Sequence, residues 1–302
     1  MSSSRPLRLG TRGSALAQIQ ANLIAAALRR NGHEVDLVTI VTDGDVRPPD
    51  TAWGEGAFVG AIELALVERR VDLAVHSAKD VPIAQAPGLT VAAYPDRADP
   101  RDALVLPAGR TAAALDDLRS GSVIGTDSPR RTGFLLAARP DLRVVPIHGN
   151  VDTRLARLDA GEVNALILAV AGLARLGRPD RVTLPLDPDL IPPAPGQGAL
   201  AIQVRAGDEA TRDAVAALDD LATRMAVSVE RALLEATGGG CRAPIGALGR
   251  AEGGLLSVIA AAVEPDGTNR RFIARVVHPD AGLLVAREMA AELRYVAPTA
   301  LE

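Results

Sequence analysis

The N-terminal third of the chain alternates short apolar runs with longer segments in which apolar residues recur every three or four positions. Short apolar runs are typical of buried strands, and the longer period is typical of amphipathic helices. The predicted elements are strand Leu7–Gly10, helix Ser14–Arg30 with Ser14 as N-cap, strand Val35–Val41, helix Ala57–Arg69 and strand Asp72–His76. This order predicts a mostly parallel sheet covered by helices.

The same alternation begins again in the middle of the chain. Strands are predicted over Ser122–Gly125, Leu142–Ile147 and Ala165–Val170, one helix begins at Ser128-Pro129, and a second helix covers Val151–Ala160. Proline suits the first position of a helix because its missing N–H would have no partner there. A second α/β domain therefore follows the first.

Two polar, proline-containing stretches, Tyr94–Asp102 and Ile191–Ala199, interrupt these patterns and are predicted as crossovers between domains. The remaining predicted elements are a strand over Leu200–Val204, a helical segment over Asp208–Ala236 broken near Thr223, three short strands after a glycine-rich GGGC, and a helix over Ala281–Tyr295.

The predicted fold class is α/β, with two α/β domains joined by hinge crossovers and a small C-terminal α+β domain. Domain 1 is discontinuous and takes residues 1–98 and 199–217, domain 2 takes residues 99–198, and domain 3 takes residues 218–302. A chain of 302 residues suits two or three such domains.

Composition narrows the class of protein. Hydrophobic residues make up 48% and charged residues 23%, which excludes a disordered chain, and a net charge of −4 gives no general affinity for nucleic acid. We find no apolar run long enough for a signal peptide or a membrane span, so a cytoplasmic protein is expected. One cysteine excludes a disulfide framework, and the four histidines lack metal-ligand spacing. Neither a P-loop nor a dinucleotide fingerprint is present.

Polar motifs follow four predicted strands: TRGS (11–14), HSAKD (76–80), GTDSPRR (125–131) and HGNVDTR (148–154). In open α/β sheets ligands bind beyond the carboxyl ends of the strands, and helix starts and arginines suit anions. A single surface arginine is usually only solvated. Four of them in such turns predict a site for a polyanion, namely Arg12, Arg130, Arg131 and Arg154.

Two residues, Asp80 and Cys241, are candidates for a chemical role. Asp80 follows an apolar strand and precedes Val81-Pro82, so it either caps its own turn or stabilises a cation and moves protons. Cys241 lies in GGGCRAP, where a small buried hydrophobe is less expected than a reactive or modified thiol. The chain has 33 basic residues, of which Lys79, beside Asp80, is the one lysine.

Eight segments, in order along the chain, together resemble the porphobilinogen deaminase (hydroxymethylbilane synthase) family. They are TRGS, AVHSAKDVP, DPRDA, GTDSPRR, GNVDTRL, ILAVAGLARLG, PAPGQGA and GGGCRAPIG. The resemblance implies two domains similar to periplasmic binding proteins, with the active site between them, and a third domain. It also implies a monomeric transferase of haem and tetrapyrrole synthesis that acts on porphobilinogen, with neither nucleic acid nor membrane as partner.

The implied reaction joins four porphobilinogen molecules head to tail, with loss of ammonia, to hydroxymethylbilane (preuroporphyrinogen). A dipyrromethane cofactor, bound through a thioether to Cys241, serves as primer, Asp80 is catalytic, and no metal is implied. The implied cofactor-binding residues are Ser77, Lys79, Thr126, Asp127, Ser128, Arg130, Arg131 and His148. The implied substrate-binding residues are Arg12, Ser14, Phe58, Arg154, Arg175 and Gln197.

Three positions depart from the family pattern: His148 where arginine is usual, Asp127 where serine is usual, and Glu55 where many members have lysine. All three make the expected site less positive. A diverged paralogue with weak or lost activity is therefore one alternative to an active enzyme. The others are a non-catalytic protein that binds small anions between two lobes and a cysteine-dependent hydrolase or transferase.

Overall fold

The structure, a computed structural model, describes residues 5–42, 59–240 and 242–294. The chain divides into two compact units: unit 1 contains Met1–Arg97 and Ala199–Arg224, and unit 2 contains Ala98–Gly198 and Met225–Glu302. The chain leaves unit 1 after Arg97 and returns to it at Ala199, within the two stretches singled out as crossovers. The assignment of a separate third domain is finer than this division and stays a prediction.

Thirteen strands and eight helices are described. The strands are β1 (Leu7–Thr11), β2 (Val35–Thr39), β3 (Leu73–Ser77), β4 (Leu89–Ala93), β5 (Asp102–Val105), β6 (Val123–Gly125), β7 (Arg143–Val145), β8 (Ala165–Ala169), β9 (Leu184–Pro185), β10 (Leu200–Arg205), β11 (Ile245–Glu252), β12 (Leu255–Ala262) and β13 (Arg271–Val277). The helices are α1 (Ala15–Arg30), α2 (Gly60–Val67), α3 (Pro129–Ala138), α4 (Val151–Asp159), α5 (Val170–Arg175), α6 (Glu209–Ala216), α7 (Leu221–Ala236) and α8 (Gly282–Leu293).

Each unit contains a five-stranded sheet with one antiparallel strand. In unit 1 the order is β2-β1-β3-β10-β4, and β10 runs antiparallel to both of its neighbours. In unit 2 the order is β7-β6-β8-β5-β9, and β5 runs antiparallel to both of its neighbours. The expected α/β class is confirmed, but the sheets are mixed: in each, two of the four strand pairings are parallel and two are antiparallel. In both sheets the antiparallel strand is the first one formed after the chain enters the unit from the other.

Apolar side chains fill both faces of each sheet, as parallel sheets require. In unit 1, Leu9, Leu73 and Ile202 pack with α1 on one face. On the other face, Ala74 packs with Ile62 and other residues of α2. Because alternate residues of a strand point to opposite faces, β3 sends consecutive side chains towards α1 and towards α2.

The predicted helix starts are largely confirmed. The side-chain oxygens of Ser14 and Ser128 accept hydrogen bonds from the N–H groups of Ala17 and Arg131, so both serines cap their helices. One prediction was misplaced: the helical segment is broken over residues 217–220 rather than near Thr223. The Thr223 N–H donates to the Asp220 carboxylate at 2.7 Å, and such a bond begins a helix.

Several strands were not predicted or were predicted too short. Strands β4, β5 and β9 were missed because they are brief and adjoin polar or proline-containing stretches. The three C-terminal strands were expected to be short, but they contain 8, 8 and 7 residues. They form an antiparallel sheet in the order β11-β12-β13, and the α+β character of the C-terminal part is confirmed.

A buried aspartate joins the antiparallel strand of unit 1 to its neighbours. The Asp72 carboxylate, which is 1% exposed, accepts hydrogen bonds from Arg5 and Arg8 and forms an ion pair with Arg205, at the end of β10. Burial alone would raise the pKa of Asp72, but the hydrogen bonds from Arg5 and Arg8 hold it well below its usual range. Asp72 is therefore ionised, and it links Arg5 and Arg8, at the start of unit 1, to Arg205 at the end of β10.

A buried glutamate joins the C-terminal sheet to the second crossover. Glu230 on α7 is fully buried and accepts hydrogen bonds from the Gly196 N–H at 2.6 Å and the Gly249 N–H at 2.7 Å. The C-terminal sheet also shares the apolar core of unit 2, where Ala261 and Val263 pack with Phe134. The C-terminal elements are thus an integral part of unit 2. Among the described residues, we find no helix long and apolar enough to cross a membrane.

We expect Glu230→Ala to lower the free energy of unfolding by about 3 kcal/mol, because two buried N–H groups lose their acceptor. The matched control is Glu235→Ala, an exposed position on the same helix, which should change the free energy of unfolding far less. Urea denaturation of both variants measures the difference. Equal effects of the two substitutions would contradict a structural role for the Glu230 carboxylate.

Candidate functional site

Asp80 lies at the carboxyl end of β3. The strand ends at Ser77 and passes into a short 3-10 turn, Ala78–Asp80, in which the Val81 N–H bonds back to the Ala78 carbonyl. The Ala78 N–H donates to the Ala199 carbonyl at 3.0 Å, so the neighbouring strand holds the start of the turn. Asp80 is exposed at the end of this turn. A rigid buried strand therefore presents an accessible carboxylate.

A pocket in unit 1 brings together residues from three separate parts of the sequence. Four predicted site residues line it: Arg12, Ser14, Ser77 and Asp80. The other lining residues are Leu16, Ala17, Gln20, Val59, Ile62, Val75 and His76. The sequence analysis missed Gln20 and His76, although His76 begins one of its motifs.

Polar contacts hold the walls of this pocket on both faces of the sheet. On the α1 side, the Gln20 side chain donates to the Ser77 hydroxyl oxygen at 3.1 Å. On the α2 side, His76 is hydrogen-bonded through Nε2 to Gln203 Oε1 at 3.1 Å. Burial lowers the pKa of His76 to about 4, although the bond to Gln203 opposes this shift. The imidazole is therefore neutral at neutral pH.

A second polar cluster lies within unit 2, around the fully buried carboxylate of Asp102 at the start of β5. Arg130 donates to Asp102 Oδ2 at 2.7 Å. Arg131 donates to Oδ1 at 3.1 Å from Nε and at 2.8 Å from Nη2. Gln197 donates to the same oxygen at 2.9 Å and to the Pro100 carbonyl at 2.8 Å. Arg130 also bonds to the Pro192 carbonyl.

This cluster carries one more positive charge than negative charge. Burial would raise the pKa of Asp102, but the attraction of Arg130 and Arg131 holds it well below its usual range. Both arginines were predicted to bind an external anion, and both are nearly buried on an internal one. Arg131 uses Nε and Nη2 on Asp102, which leaves its Nη1 without a hydrogen bond among the described residues.

Asp127 and His148, the two positions in unit 2 at which a departure from the family pattern is expected, contact each other. His148 Nδ1 lies 3.4 Å from Asp127 Oδ2, and Arg154 Nη1 lies 3.3 Å from Asp127 Oδ1. Arg154 also donates from Nε to the Gly149 carbonyl at 2.8 Å. The geometry at His148 Nδ1 is too poor for a hydrogen bond, so this buried nitrogen has no partner within the described part of the chain. Burial lowers the pKa of Arg154, and Asp127 opposes the effect.

The other predicted site residues have mixed positions. Thr126 is buried and its hydroxyl oxygen accepts from the Ser128 N–H at 3.3 Å. Arg175 donates to the Gly198 carbonyl at 2.6 Å, and burial lowers its pKa. Lys79 is half-buried in the turn before Asp80. Three positions lie outside the described residues: Glu55, Phe58 and Cys241.

Sequence reasoning missed the partners that hold these residues. The missed residues are Gln20, Glu63, His76, Asp102, Gln203 and Glu230. Three carried a signal: His76 begins the HSAKD motif, Asp102 directly precedes the apolar run ALVL, and Glu230 stands among apolar residues in a helical segment. A charged residue in an apolar stretch is buried only when it is paired, which makes it a candidate for an internal ion pair or hydrogen bond.

The chemistry available in the unit 1 pocket is that of an exposed carboxylate beside an arginine and two hydroxyls. An arginine and hydroxyls can donate hydrogen bonds to carboxylates, and a carboxylate can stabilise a nearby positive charge. The described residues contain no group of three or more His, Cys, Asp or Glu side chains arranged to hold a metal ion.

Comparisons with known proteins agree over most of the chain. Residues 7–213 match the family model "Porphobilinogen deaminase, dipyromethane cofactor binding domain", and residues 224–293 match "Porphobilinogen deaminase, C-terminal domain". A porphobilinogen deaminase from Acidothermus cellulolyticus is 47% identical over 294 residues, covering 95% of this chain and 88% of the relative. One from Mycobacterium marinum is 50% identical over 243 residues, covering 80% and 76%.

Among solved structures, a periplasmic sulfonate-binding protein from Methylobacillus flagellatus is 17% identical, with a TM-score of 0.42. The match covers 78% of this chain and 70% of that one.

We expect Asp102→Asn to lower the free energy of unfolding at pH 7 by about 3 to 5 kcal/mol, because two buried arginines lose their counter-charge. Asp99→Asn is the control, since Asp99 pairs with Arg101 at a partly exposed position, and it should cost less than about 1 kcal/mol.

The difference between wild type and Asp102→Asn also depends on pH. The folded pKa of Asp102 lies below the unfolded value of about 3.9, so its contribution is complete above that value and is lost progressively as the pH falls from there through the folded pKa. Denaturant unfolding from pH 7 to pH 3 should show a difference in the free energy of unfolding that is constant down to about pH 5 and then begins to narrow. A difference that grows on acidification would contradict an ionised Asp102.

Proposed function

The chain belongs to the porphobilinogen deaminase family, and from this premise we propose that it joins four porphobilinogen molecules head to tail to form hydroxymethylbilane (preuroporphyrinogen). Each addition releases ammonia, and the product feeds tetrapyrrole and haem synthesis, which makes the chain a transferase. The structural observation that carries the proposal is the pocket lined by Arg12, Ser14, Ser77 and Asp80. Three further points stay predictions: that the chain is a monomer, that it acts in the cytoplasm, and that it has no nucleic-acid partner.

Asp80 is the proposed catalytic residue. Loss of ammonia from the aminomethyl group of porphobilinogen leaves a positive charge on the substrate, and a carboxylate close to that charge stabilises it. The same carboxylate can accept a proton from a ring N–H and return it. Its exposed position at the end of the turn, within the pocket lining, suits both roles.

The two serines of the pocket are proposed to donate hydrogen bonds to substrate carboxylates. The Ser14 oxygen accepts from the Ala17 N–H, and the Ser77 oxygen accepts from the Gln20 side chain. Among residues 5–42, 59–240 and 242–294, neither hydroxyl has an acceptor for its own proton, so each keeps a donor for a ligand. Porphobilinogen carries an acetate and a propionate, and Arg12 adds a positive charge beside the two hydroxyls.

The residues of unit 2 fit an anionic cofactor by charge. Arg130, Arg131 and Arg154 outnumber their internal partners Asp102 and Asp127, and Ser128 caps a helix whose N-terminus also favours anions. When bound, dipyrromethane supplies the terminal pyrrole to which the first substrate unit is joined. We assign the thioether to Cys241. The proposed non-covalent contacts are Ser77, Lys79, Thr126, Asp127, Ser128, Arg130, Arg131 and His148.

The growing product gains two carboxylates with each unit, so further cations are needed along its path. Arg154 and Arg175 are proposed for this role, together with Gln197 and Phe58. Among the residues that the structure describes, Arg175 has one hydrogen bond, to the Gly198 carbonyl, and a guanidinium has five N–H donors. Its other donors therefore suit a ligand carboxylate.

Asp80→Asn is expected to reduce porphobilinogen consumption at least about 100-fold, because the amide can neither balance the positive charge nor take up a proton. The thermal unfolding midpoint should be unchanged, since Asp80 is exposed. Asp96→Asn, an exposed carboxylate of the same unit, is the control and should retain full activity. Turnover of Asp80→Asn close to that of wild type would remove Asp80 from the mechanism.

Mass spectrometry of the purified protein should show the mass of two linked pyrroles on the peptide that contains Cys241. The added mass should be missing in Cys241→Ser. A thiol that stays unmodified after incubation with porphobilinogen or preformed hydroxymethylbilane would favour a diverged paralogue. A free thiol that reacts with esters would favour the cysteine-dependent hydrolase instead.

A further inference from the structure

His76 belongs to the HSAKD motif, but the proposed mechanism gives it no role. Its side chain lines the same pocket as Asp80 and is otherwise buried, with 5% of its surface exposed. A buried neutral imidazole has one nitrogen that donates and one that accepts, and the hydrogen bonds of its neighbours decide which is which.

The neighbours of His76 form a chain that begins at a carboxylate. Gln203 donates from Nε2 to Glu63 Oε1 at 2.8 Å. A carboxylate only accepts, so the amide group of Gln203 must turn its NH2 towards Glu63 and its carbonyl oxygen towards His76. That oxygen lies 3.1 Å from His76 Nε2 and also only accepts. His76 Nε2 must therefore carry the proton.

The protonation of the second ring nitrogen, His76 Nδ1, follows by elimination. With the proton on Nε2, Nδ1 of the neutral ring carries a lone pair and is an acceptor. Nδ1 has no hydrogen bond to any residue within 5–42, 59–240 or 242–294. Unlike Nδ1 of His148, it is not fully enclosed by the protein. It therefore remains accessible in a pocket whose other polar lining includes two hydroxyl donors and an arginine.

We infer that His76 Nδ1 accepts a hydrogen bond from an N–H group of the substrate, and that Glu63 and Gln203 are positioning residues that fix this acceptor. This inference rests on the proposed function, because porphobilinogen supplies the N–H donors, on its pyrrole ring and its aminomethyl group. A neutral acceptor orients an N–H without adding a charge that would compete with Asp80. The pocket then binds both kinds of polar group on the substrate: its hydrogen-bond donors bind the carboxylates, and His76 binds an N–H group.

The test reverses the donor and acceptor roles along the hydrogen bonds that join Glu63, Gln203 and His76. In Glu63→Lys the ammonium donates to Gln203, which turns the amide so that its NH2 faces His76. Nε2 then accepts, and the proton moves to Nδ1, which presents a donor to the substrate. We expect KM for porphobilinogen to rise about tenfold with little change in kcat, as for a contact made equally in the ground and transition states.

Glu68→Lys is the matched control, because it makes the same change of charge directly after α2 at a residue that pairs with Arg70 on the surface. Its KM should equal that of wild type. His76→Phe keeps a ring but removes both nitrogens, and its KM should rise to a similar extent. If Glu63→Lys fails to fold, His76→Phe and the wild-type protein still decide the question.

Long-range proton–nitrogen NMR spectra of 15N-labelled protein read the tautomer directly, and His76→Phe assigns the signal among the four histidines. Wild type should show a protonated Nε2 and an unprotonated Nδ1, and Glu63→Lys the reverse. A protonated Nδ1 in wild type, or an inverted tautomer with unchanged KM, would overturn the inference. A wild-type protein that consumes no porphobilinogen would refute the proposed function, whereas the tautomer spectrum needs no substrate and would still test the Glu63–Gln203–His76 chain.

Discussion

A buried carboxylate held by arginines fixes the strand that interrupts the parallel order of each sheet. In unit 2, Asp102 begins the antiparallel strand β5 and receives Arg130 and Arg131 from α3. In unit 1 the polarity is reversed: Arg205 ends the antiparallel strand β10 and reaches Asp72. Both antiparallel strands follow a passage of the chain from one unit to the other. Burying an unpaired charge is very costly, so these pairs fix where each strand joins its sheet.

The hydrophobic pattern was sufficient to predict most helices and central strands, because the helices keep a regular apolar period and the strands are short runs of mainly apolar residues. It missed β5, whose first residue is Asp102 and whose pairing depends on partners far along the chain. Likewise, the motifs predicted four residues of the unit 1 pocket but not the contacts behind them. His76 and Gln203 are 127 positions apart, and their neighbourhood follows from the register of β3 and β10, which no local pattern encodes.

The departures at positions 127 and 148 are easier to understand together than apart. Asp127 lies between His148 and Arg154, so the two positions at which a departure from the family pattern is expected contact each other. Arg154, whose Nη1 lies 3.3 Å from Asp127 Oδ1, supplies the balancing positive charge. The local charge is thereby redistributed within unit 2, while the Asp102 cluster keeps its excess positive charge.

Glu230 has a consequence for how this protein can be divided. Its two oxygens hold Gly196, before the chain re-enters unit 1, and Gly249, in the C-terminal sheet. A chain that stopped before α7 would leave the Gly196 N–H without the acceptor that it has here, and would remove Ala261 and Val263 from the packing around Phe134. The C-terminal elements therefore support both the second crossover and the core of unit 2, and a chain without them would have to replace both sets of contacts.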